Sequence, residues 1–194
     1  MIKVGLTGGI GTGKSYVSLI FKAFNIPVYN SDIEAKKLYY LNDVQLEMEA
    51  AFGKQVYLST REINKEYLSK LIFKDKNALK KVNSIIHPRV KSHFSEWLNA
   101  YNKAPYIIKE TAILFESGAY KQTDKNIVVT APEKIRLQRV QKRDRISETL
   151  IKKKMANQMS QSELIKRSDF VIINDEKQAL LPQINNIHQI FLNL

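Results

Sequence analysis

Residues 2–24, IKVGLTGGIGTGKSYVSLIFKAF, decide the fold of this chain. Apolar residues alternate over the first positions, as in a β-strand. They then recur three and four positions apart after the lysine, as on one face of a helix. These residues are Ile2, Val4 and Leu6 in the strand and Val17, Ile20, Phe21 and Phe24 in the helix. The glycine-rich turn between the two fits G-x-x-x-x-G-K-[ST]. The stretch therefore predicts a strand, a phosphate-binding loop and a helix.

The loop contains the groups that bind nucleotide phosphates. Its glycines allow backbone conformations in which successive N–H groups face phosphate oxygens, and the next helix adds the positive end of its dipole. Lys14 is expected to reach the β- and γ-phosphates and the Ser15 hydroxyl to hold Mg²⁺. A glycine-rich turn without a ligand is the alternative. The predicted ATP-binding residues here are Gly8, Gly9, Gly11, Thr12, Gly13, Lys14, Ser15 and Tyr16.

Composition fits one globular α/β domain of 194 residues. Hydrophobic residues make up 44% and charged residues 26%, which argues against a disordered chain. There is no cysteine, which excludes disulfides, cysteine-ligated zinc and thiol catalysis and fits a reducing cytoplasm. No apolar run reaches the roughly 18 residues of a membrane span, and no signal-peptide pattern is found. We expect a cytoplasmic protein without a membrane partner.

The positive charge is unevenly distributed. The formal net charge is +12, and residues 134–167 hold eleven Lys or Arg against three acids, a net of +8. Such a segment could bind nucleic acid or close over the phosphates of a nucleotide. Composition alone leaves both open.

Two acids follow predicted strands and are expected at the edge of the sheet where ligands bind. Asp32 follows a short strand over residues 26–29. It could accept a proton from a substrate hydroxyl or orient that hydroxyl, but it could also cap a helix that begins near Ile33. Glu110 follows a strand over residues 106–108. It could hold a water molecule of a Mg²⁺ shell, or be a helix cap or a surface acid.

Residues 33–104 are mostly helical by pattern and exceed what a crossover between strands needs. We predict a substrate-binding subdomain there. Within it, residues 86–89 are predicted to break one helix and start the next, with Pro88 in the first turn of the second helix. His87 by itself is typical of a packing or capping residue.

The remaining pattern completes the predicted fold. Strands are expected at residues 126–130 and 170–173, the second ending near Asn174, and a last helix is expected from about residue 180. A helix from Glu133 places Arg139 and Arg143 on one face, as a polyphosphate clamp would require, although a solvated face is the alternative. The predicted fold class is α/β, a three-layer phosphate-loop core with a five-stranded parallel sheet. The single domain comprises a core (residues 1–32, 105–132 and 168–194), a helical insertion (33–104) and a helical lid (133–167).

Taken in order, these motifs resemble the dephospho-CoA kinase family over nearly the whole chain. The matching segments are residues 5–15, Asn30-Ser31-Asp32, Val82-Asn83 with Ile86-His87-Pro88, residues 113–116, Arg139 with Arg143-Asp144, Gln158, and residues 169–174. Departures from the family pattern are Tyr16, Asn30, Glu110, Ala112 and Lys154.

The resemblance implies transfer of phosphate from ATP to the ribose 3′-hydroxyl of dephospho-CoA, with Mg²⁺ as cofactor. Implied catalytic residues are Asp32, Lys14, Arg139 and Arg143. Implied binding residues are Arg143 and Asn174 for ATP, Asp32, His87 and Glu116 for the acceptor, and Ser15 and, through water, Glu110 for the metal. No nucleic-acid partner is expected, and the chain is expected to be a monomer or a weak homo-oligomer. The alternatives are another small-molecule kinase with the same core and a nucleic-acid-binding ATPase.

Overall fold

A computed structural model describes residues 1–194, and at its centre lies one sheet of five parallel strands in the order β2-β3-β1-β4-β5. The strands are β1 (Ile2–Thr7), β2 (Val28–Asn30), β3 (Tyr106–Glu110), β4 (Lys125–Thr130) and β5 (Phe170–Ile173). Because β1 is the central strand, the loop that follows it begins between the ends of β3 and β4. The predicted five-stranded parallel sheet is confirmed.

Nine α-helices connect and cover the strands. They are α1 (Lys14–Ala23), α2 (Ser31–Leu38), α3 (Asn42–Phe52), α4 (Lys65–Lys74), α5 (Lys76–Asn99), α6 (Glu133–Asp144), α7 (Glu148–Ala156), α8 (Gln161–Arg167) and α9 (Leu180–Leu192). Short 3-10 helices occur at Lys54–Val56 and Ala119–Gln122. None of the helices combines the length and the apolar character needed to span a membrane.

The chain forms two compact units. The first comprises residues 1–30 and 100–194, and the second comprises residues 31–99. The sheet and the predicted lid lie in the first unit. The second unit overlaps the predicted insertion over residues 33–104, whose assignment to substrate binding stays a prediction.

The first unit buries apolar residues on both faces of the sheet, as expected for a parallel sheet between helices. On one face, α1 and α9 cover the strands. The fully buried residues of that core include Val4, Leu6, Val17, Phe21, Tyr106, Ile108, Ile127, Val129, Ile172 and Ile184. A smaller cluster with α8 covers the other face and consists of Leu114, Phe115, Val128 and Leu164. Along β4, Ile127 and Val129 therefore pack on one face of the sheet and Val128 packs on the other.

The second unit has a core of its own, formed by α3, α4, α5 and the segment between α3 and α4. Its buried residues are Val44, Met48, Val56, Tyr57, Ile63, Leu68, Val82, Ile85 and Ile86. Apart from one isolated antiparallel bridge between Tyr57 and Ile63, the unit is helical. The expectation of a mostly helical segment is met.

The predicted break between two helices at residues 86–89 is wrong. α5 runs without interruption for 24 residues, with Pro88 inside it. A proline in a helix interior cannot donate to the carbonyl four residues earlier, here that of Ser84, which costs roughly 3 kcal/mol. Burial of Ile85 and Ile86 on one side of Pro88 and Phe94 on the other offsets this cost. Tertiary packing therefore overrides the local preference.

Arg89 stabilises the same turn of α5. Its Nη1 donates to the carbonyl oxygen of Ile85 at 2.8 Å. Its Nη2 donates to carboxylates of Asp43 and Glu47 on α3, each at 2.7 Å. These contacts hold α3 against α5 next to the proline.

A histidine of α9, His188, packs against the end of α1 in the first unit. His188 Nδ1 is 2.6 Å from the hydroxyl of the buried Tyr106, and its ring lies 4.8 Å from that of Phe24. With Nδ1 unprotonated the ring accepts the Tyr106 proton, and with Nδ1 protonated it donates to the phenol oxygen. Burial lowers the pKa of His188 below its ordinary 6.5.

This arrangement predicts a loss of stability in mild acid. The unfolded chain binds the proton more readily, so the contribution of His188 is complete above about pH 6.5 and declines as the pH falls toward the folded-state pKa. The free energy of unfolding, measured with urea, should therefore fall between about pH 7 and 5.5, and fall less in His188→Gln. His87, whose pKa burial also lowers, is present in both proteins. Equal pH dependence in both proteins would contradict this assignment.

Candidate active site

The loop between β1 and α1 has the geometry of a phosphate cradle. Gly11 and Gly13 have φ angles of 81° and 92°, a region that favours glycine. A Cβ on Gly11 would also lie 2.7 Å from the carbonyl oxygen of Arg136. The buried Thr12 donates from its N and its Oγ1 to the carbonyl of Gly9, at 3.2 and 2.9 Å. Glycines at the turns and a buried internal contact thus fix the loop, and Lys14 begins α1.

Glu110 is the acid at the centre of the site. It ends β3, pairs in register with Leu6 of β1, and is only 3% exposed. Its carboxylate accepts hydrogen bonds from Ser15 Oγ at 3.0 Å, Ser18 Oγ at 2.7 Å and Asn30 Nδ2 at 2.8 Å. Three donors compensate the burial of this charge. The predicted metal-binding pair, Ser15 and Glu110, is therefore in direct contact.

The donor set at this position suits a hard cation. Carboxylate and hydroxyl oxygens are the ligands that Mg²⁺ prefers, and Mg²⁺ is commonly held by few protein groups together with phosphates and water. No group of three or more His, Cys, Asp or Glu side chains is arranged to hold a metal. The residues present therefore fit a Mg²⁺ ion that arrives with its nucleotide and do not form a complete all-protein metal site.

Arg139 joins the loop to the segment after β5. Its Nη2 donates to the Oδ1 and the carbonyl oxygen of Asn174, at 3.1 and 3.3 Å, and to Glu176 Oε1 at 3.0 Å. The buried Asn174 in turn donates from Nδ2 to the carbonyl of Thr12 at 2.8 Å. The predicted ATP-binding residue Asn174 is thus beside the phosphate loop, and Arg139 is anchored to it.

Arg143 lies one turn further along α6. Its guanidinium donates from Nε and Nη2 to the neighbouring Asp144, at 2.7 and 2.9 Å. Hydrogen bonding between the two raises the pKa of Arg143 and lowers that of Asp144. Both arginines of the predicted clamp therefore have carboxylate partners, Glu176 for Arg139 and Asp144 for Arg143. Their role at phosphate stays a prediction.

The remaining predicted site residues lie elsewhere. Glu116 Oε1 accepts from the backbone N–H of Met159 at 2.9 Å, just before α8. Asp32 lies in the first turn of α2 and His87 in the middle of α5, both in the second unit. Burial lowers the pKa of His87. The side chain of Tyr16 is exposed on α1, so its backbone is the part placed at the loop.

Comparison with known proteins identifies the family. A family model described as dephospho-CoA kinase matches residues 2–179. The chain belongs to the dephospho-CoA kinase family. The dephospho-CoA kinase of Bacteroides fragilis is 40% identical over 184 residues, 94% of this chain and 89% of that one. That of Porphyromonas gingivalis is 38% identical over 192 residues, covering 96% and 93%.

A solved structure agrees with this assignment. The dephospho-CoA kinase from Campylobacter jejuni superimposes with a TM-score of 0.72 at 26% identity, covering 98% of this chain and 97% of that one. A shikimate kinase from Acinetobacter baumannii, at 12% identity and a TM-score of 0.54, shares the fold. The predicted resemblance to the dephospho-CoA kinase family is confirmed.

Sequence reasoning missed Ser18, which donates the shortest hydrogen bond to Glu110. A signal was present: Ser18 lies between Val17 and Phe21 on the buried face of α1, and a buried hydroxyl needs a partner. Asn30, which departs from the acid usual in the dephospho-CoA kinase family, donates a hydrogen bond to Glu110.

Asn174 offers a test of the site. In Asn174→Ala, the carbonyl of Thr12 loses its buried donor and Arg139 loses an acceptor. We expect the Kd for ATP, measured by calorimetry, to rise about 5- to 10-fold. The matched control is Asn193→Ala, which removes a similar amide-to-carbonyl bond, to Gln189, at the end of α9. Equal ATP affinity in both variants would show that Asn174 does not support the loop.

Proposed function

We propose that this chain transfers the γ-phosphoryl group of ATP to the ribose 3′-hydroxyl of dephospho-CoA, giving CoA and ADP, the last step of coenzyme A biosynthesis. Membership of the dephospho-CoA kinase family supports this activity. The observation that carries it is the contact of Ser15 with the buried Glu110 beside a glycine-built phosphate loop. This arrangement suits a nucleoside triphosphate and does not by itself select the acceptor.

On the nucleotide side, the loop from Gly8 to Ser15 binds the phosphates through backbone N–H groups, and Lys14 adds a charge near the β- and γ-phosphates. Ser15 and Glu110 would hold Mg²⁺, Glu110 through a water molecule. When bound, this ion neutralises charge on the phosphate oxygens. Phosphoryl transfer needs such positioning and electrostatic stabilisation more than covalent chemistry by the protein.

On the acceptor side, Asp32 orients the 3′-hydroxyl or takes up its proton as the oxygen attacks the γ-phosphorus. Asp32 follows Asn30, the last residue of β2 and a donor to Glu110, by only two positions. This short connection supports the proposal. His87 and Glu116 are proposed to contact dephospho-CoA, and residues 33–104 to form its binding part.

The lid over residues 133–167 completes the proposal. Arg139 and Arg143 are proposed to neutralise charge as the phosphoryl group moves, which requires them to exchange their carboxylate partners for phosphate oxygens. Closure of the lid excludes water, which would otherwise accept the phosphoryl group. We also propose that the enzyme is cytoplasmic, which the cysteine-free sequence supports. We propose that it has no nucleic-acid partner, because the excess of basic residues lies in the lid. A monomeric or weakly associated state completes the proposal.

The experiment that tests the proposed activity is ADP production from ATP and Mg²⁺ with a panel of acceptors. The panel holds dephospho-CoA, nucleoside monophosphates, shikimate and small sugars. We expect turnover with dephospho-CoA and only background with the rest. Turnover with another acceptor and not with dephospho-CoA would retain the kinase fold and overturn the substrate.

Asp32→Asn tests the acceptor side. Loss of the carboxylate should lower kcat roughly 100-fold or more, with the Kd for ATP nearly unchanged, because the substitution spares the phosphate loop. The matched control is Asp75→Asn. Asp75 accepts from the backbone N–H of Asn77 at the start of α5, a capping role that asparagine keeps. A kcat for Asp32→Asn equal to that of the control would assign Asp32 a structural role.

A further inference from the structure

One residue of the phosphate loop, Ile10, is held from outside the loop at both its backbone N–H and its backbone carbonyl. The N–H of Ile10 donates to Gln158 Oε1 at 2.8 Å. The carbonyl oxygen of Ile10 accepts from Arg136 Nε at 2.9 Å. All three residues belong to the first unit. Because the two partners bond the N–H and the carbonyl of the same residue, they fix the direction of its backbone.

Helix α6 approaches the loop closely at this point. A Cβ on Gly9 would lie 2.7 Å from Arg136 Nη2 and 3.5 Å from Gln158 Oε1. A Cβ on Gly11 would lie 2.7 and 3.0 Å from the backbone O and Cα of Arg136. Because Gly9 has no side chain, the guanidinium of Arg136 can lie directly against the backbone of the loop.

The buried position of Arg136 makes this contact unusual. The residue is 7% exposed, and burial lowers the pKa of its guanidinium, an effect that Glu133 partly offsets. A buried guanidinium needs acceptors for its donors. Here the carbonyl of Ile10 is such an acceptor, so the contact stabilises both helix and loop.

The backbone next to Gln158 is held by a hydrogen bond. Glu116 accepts from the N–H of Met159, the residue after Gln158, at 2.9 Å. Arg136 lies at the beginning of the lid segment 133–167 and Gln158 near its end, between α7 and α8. Two residues that are far apart within this segment therefore both bond Ile10.

We propose that Arg136 and Gln158 are positioning residues that hold Ile10 outward, so that the following N–H groups of the loop face the phosphates of ATP. The proposal rests on the proposed kinase function and deepens it. It also links the base of the lid to the phosphate loop through two hydrogen bonds. Movement of Arg136 or Gln158 would then shift the loop N–H groups that bind the phosphates, even where the lid itself does not contact the nucleotide.

The test compares Arg136→Met and Gln158→Leu with the wild-type chain. Each substitution leaves an apolar side chain that cannot make the hydrogen bond to Ile10. We expect KM for ATP to rise roughly 5- to 10-fold in each, with KM for dephospho-CoA and the melting temperature changed little. Amide hydrogen exchange at Ile10, followed by NMR, should accelerate in Gln158→Leu. Arg136→Lys, which keeps a charged donor, should recover part of the affinity for ATP.

The matched control is Gln161→Leu. Gln161 lies three residues further along and bonds both polar groups of the Ala131 backbone, at 3.0 Å each. This variant shows how much the loss of any glutamine side-chain hydrogen bond near the end of the lid changes KM for ATP. A rise in KM for ATP as large as in Gln158→Leu would reduce Gln158 to a structural residue and overturn the proposal.

Failure of this inference can be told from failure of the proposed function. If the wild-type chain phosphorylates dephospho-CoA but KM for ATP is unchanged in both test variants, the positioning role is wrong and the function stands. If the wild-type chain does not phosphorylate dephospho-CoA, the function is wrong. The Kd for ATP of the same variants, measured by calorimetry, then decides the positioning role, and an unchanged Kd overturns it.

Discussion

The arrangement of the first unit depends on one buried carboxylate, that of Glu110. A charge that is 3% exposed is tolerated only when hydrogen bonds replace its hydration, and here Ser15, Ser18 and Asn30 provide them. These donors come from α1 and β2, so satisfying Glu110 fixes the start of α1 and the end of β2 relative to β3. The hydroxyl expected to hold Mg²⁺ is therefore positioned by a requirement of folding, before any nucleotide binds.

The phosphate loop is supported on several sides. Asn174 holds the carbonyl of Thr12 from the end of β5, and Arg136 and Gln158 hold Ile10 from the base of the lid. A loop with so many glycines would lose much conformational entropy on ordering if it were held by phosphate alone. Side chains that order it in advance reduce the cost of binding ATP. Residues from separate parts of the first unit thus hold the same loop.

The sequence was sufficient for the parts that depend on local pattern. The loop motif, the five strands and the acid at the end of β3 could be predicted from spacing and alternation, because each depends on residues that are close in the chain. Local pattern does not predict contacts between distant residues, such as Arg136 with Ile10 and Arg139 with Glu176. Ser15 and Glu110 were predicted at one metal site, but not their direct hydrogen bond. The continuous α5 through Pro88 also escaped prediction, since packing around the proline outweighs its local cost. Ser18 was accessible in principle, as a hydroxyl on an apolar helix face.

The most direct test of the central claim is to identify the product formed from ATP and dephospho-CoA by ³¹P NMR and mass spectrometry. We predict one new phosphomonoester on the ribose 3′-oxygen for each ADP released, because the excluded water does not compete with the hydroxyl. Release of ADP and inorganic phosphate with dephospho-CoA unchanged, or a phosphate at any other position, would contradict it.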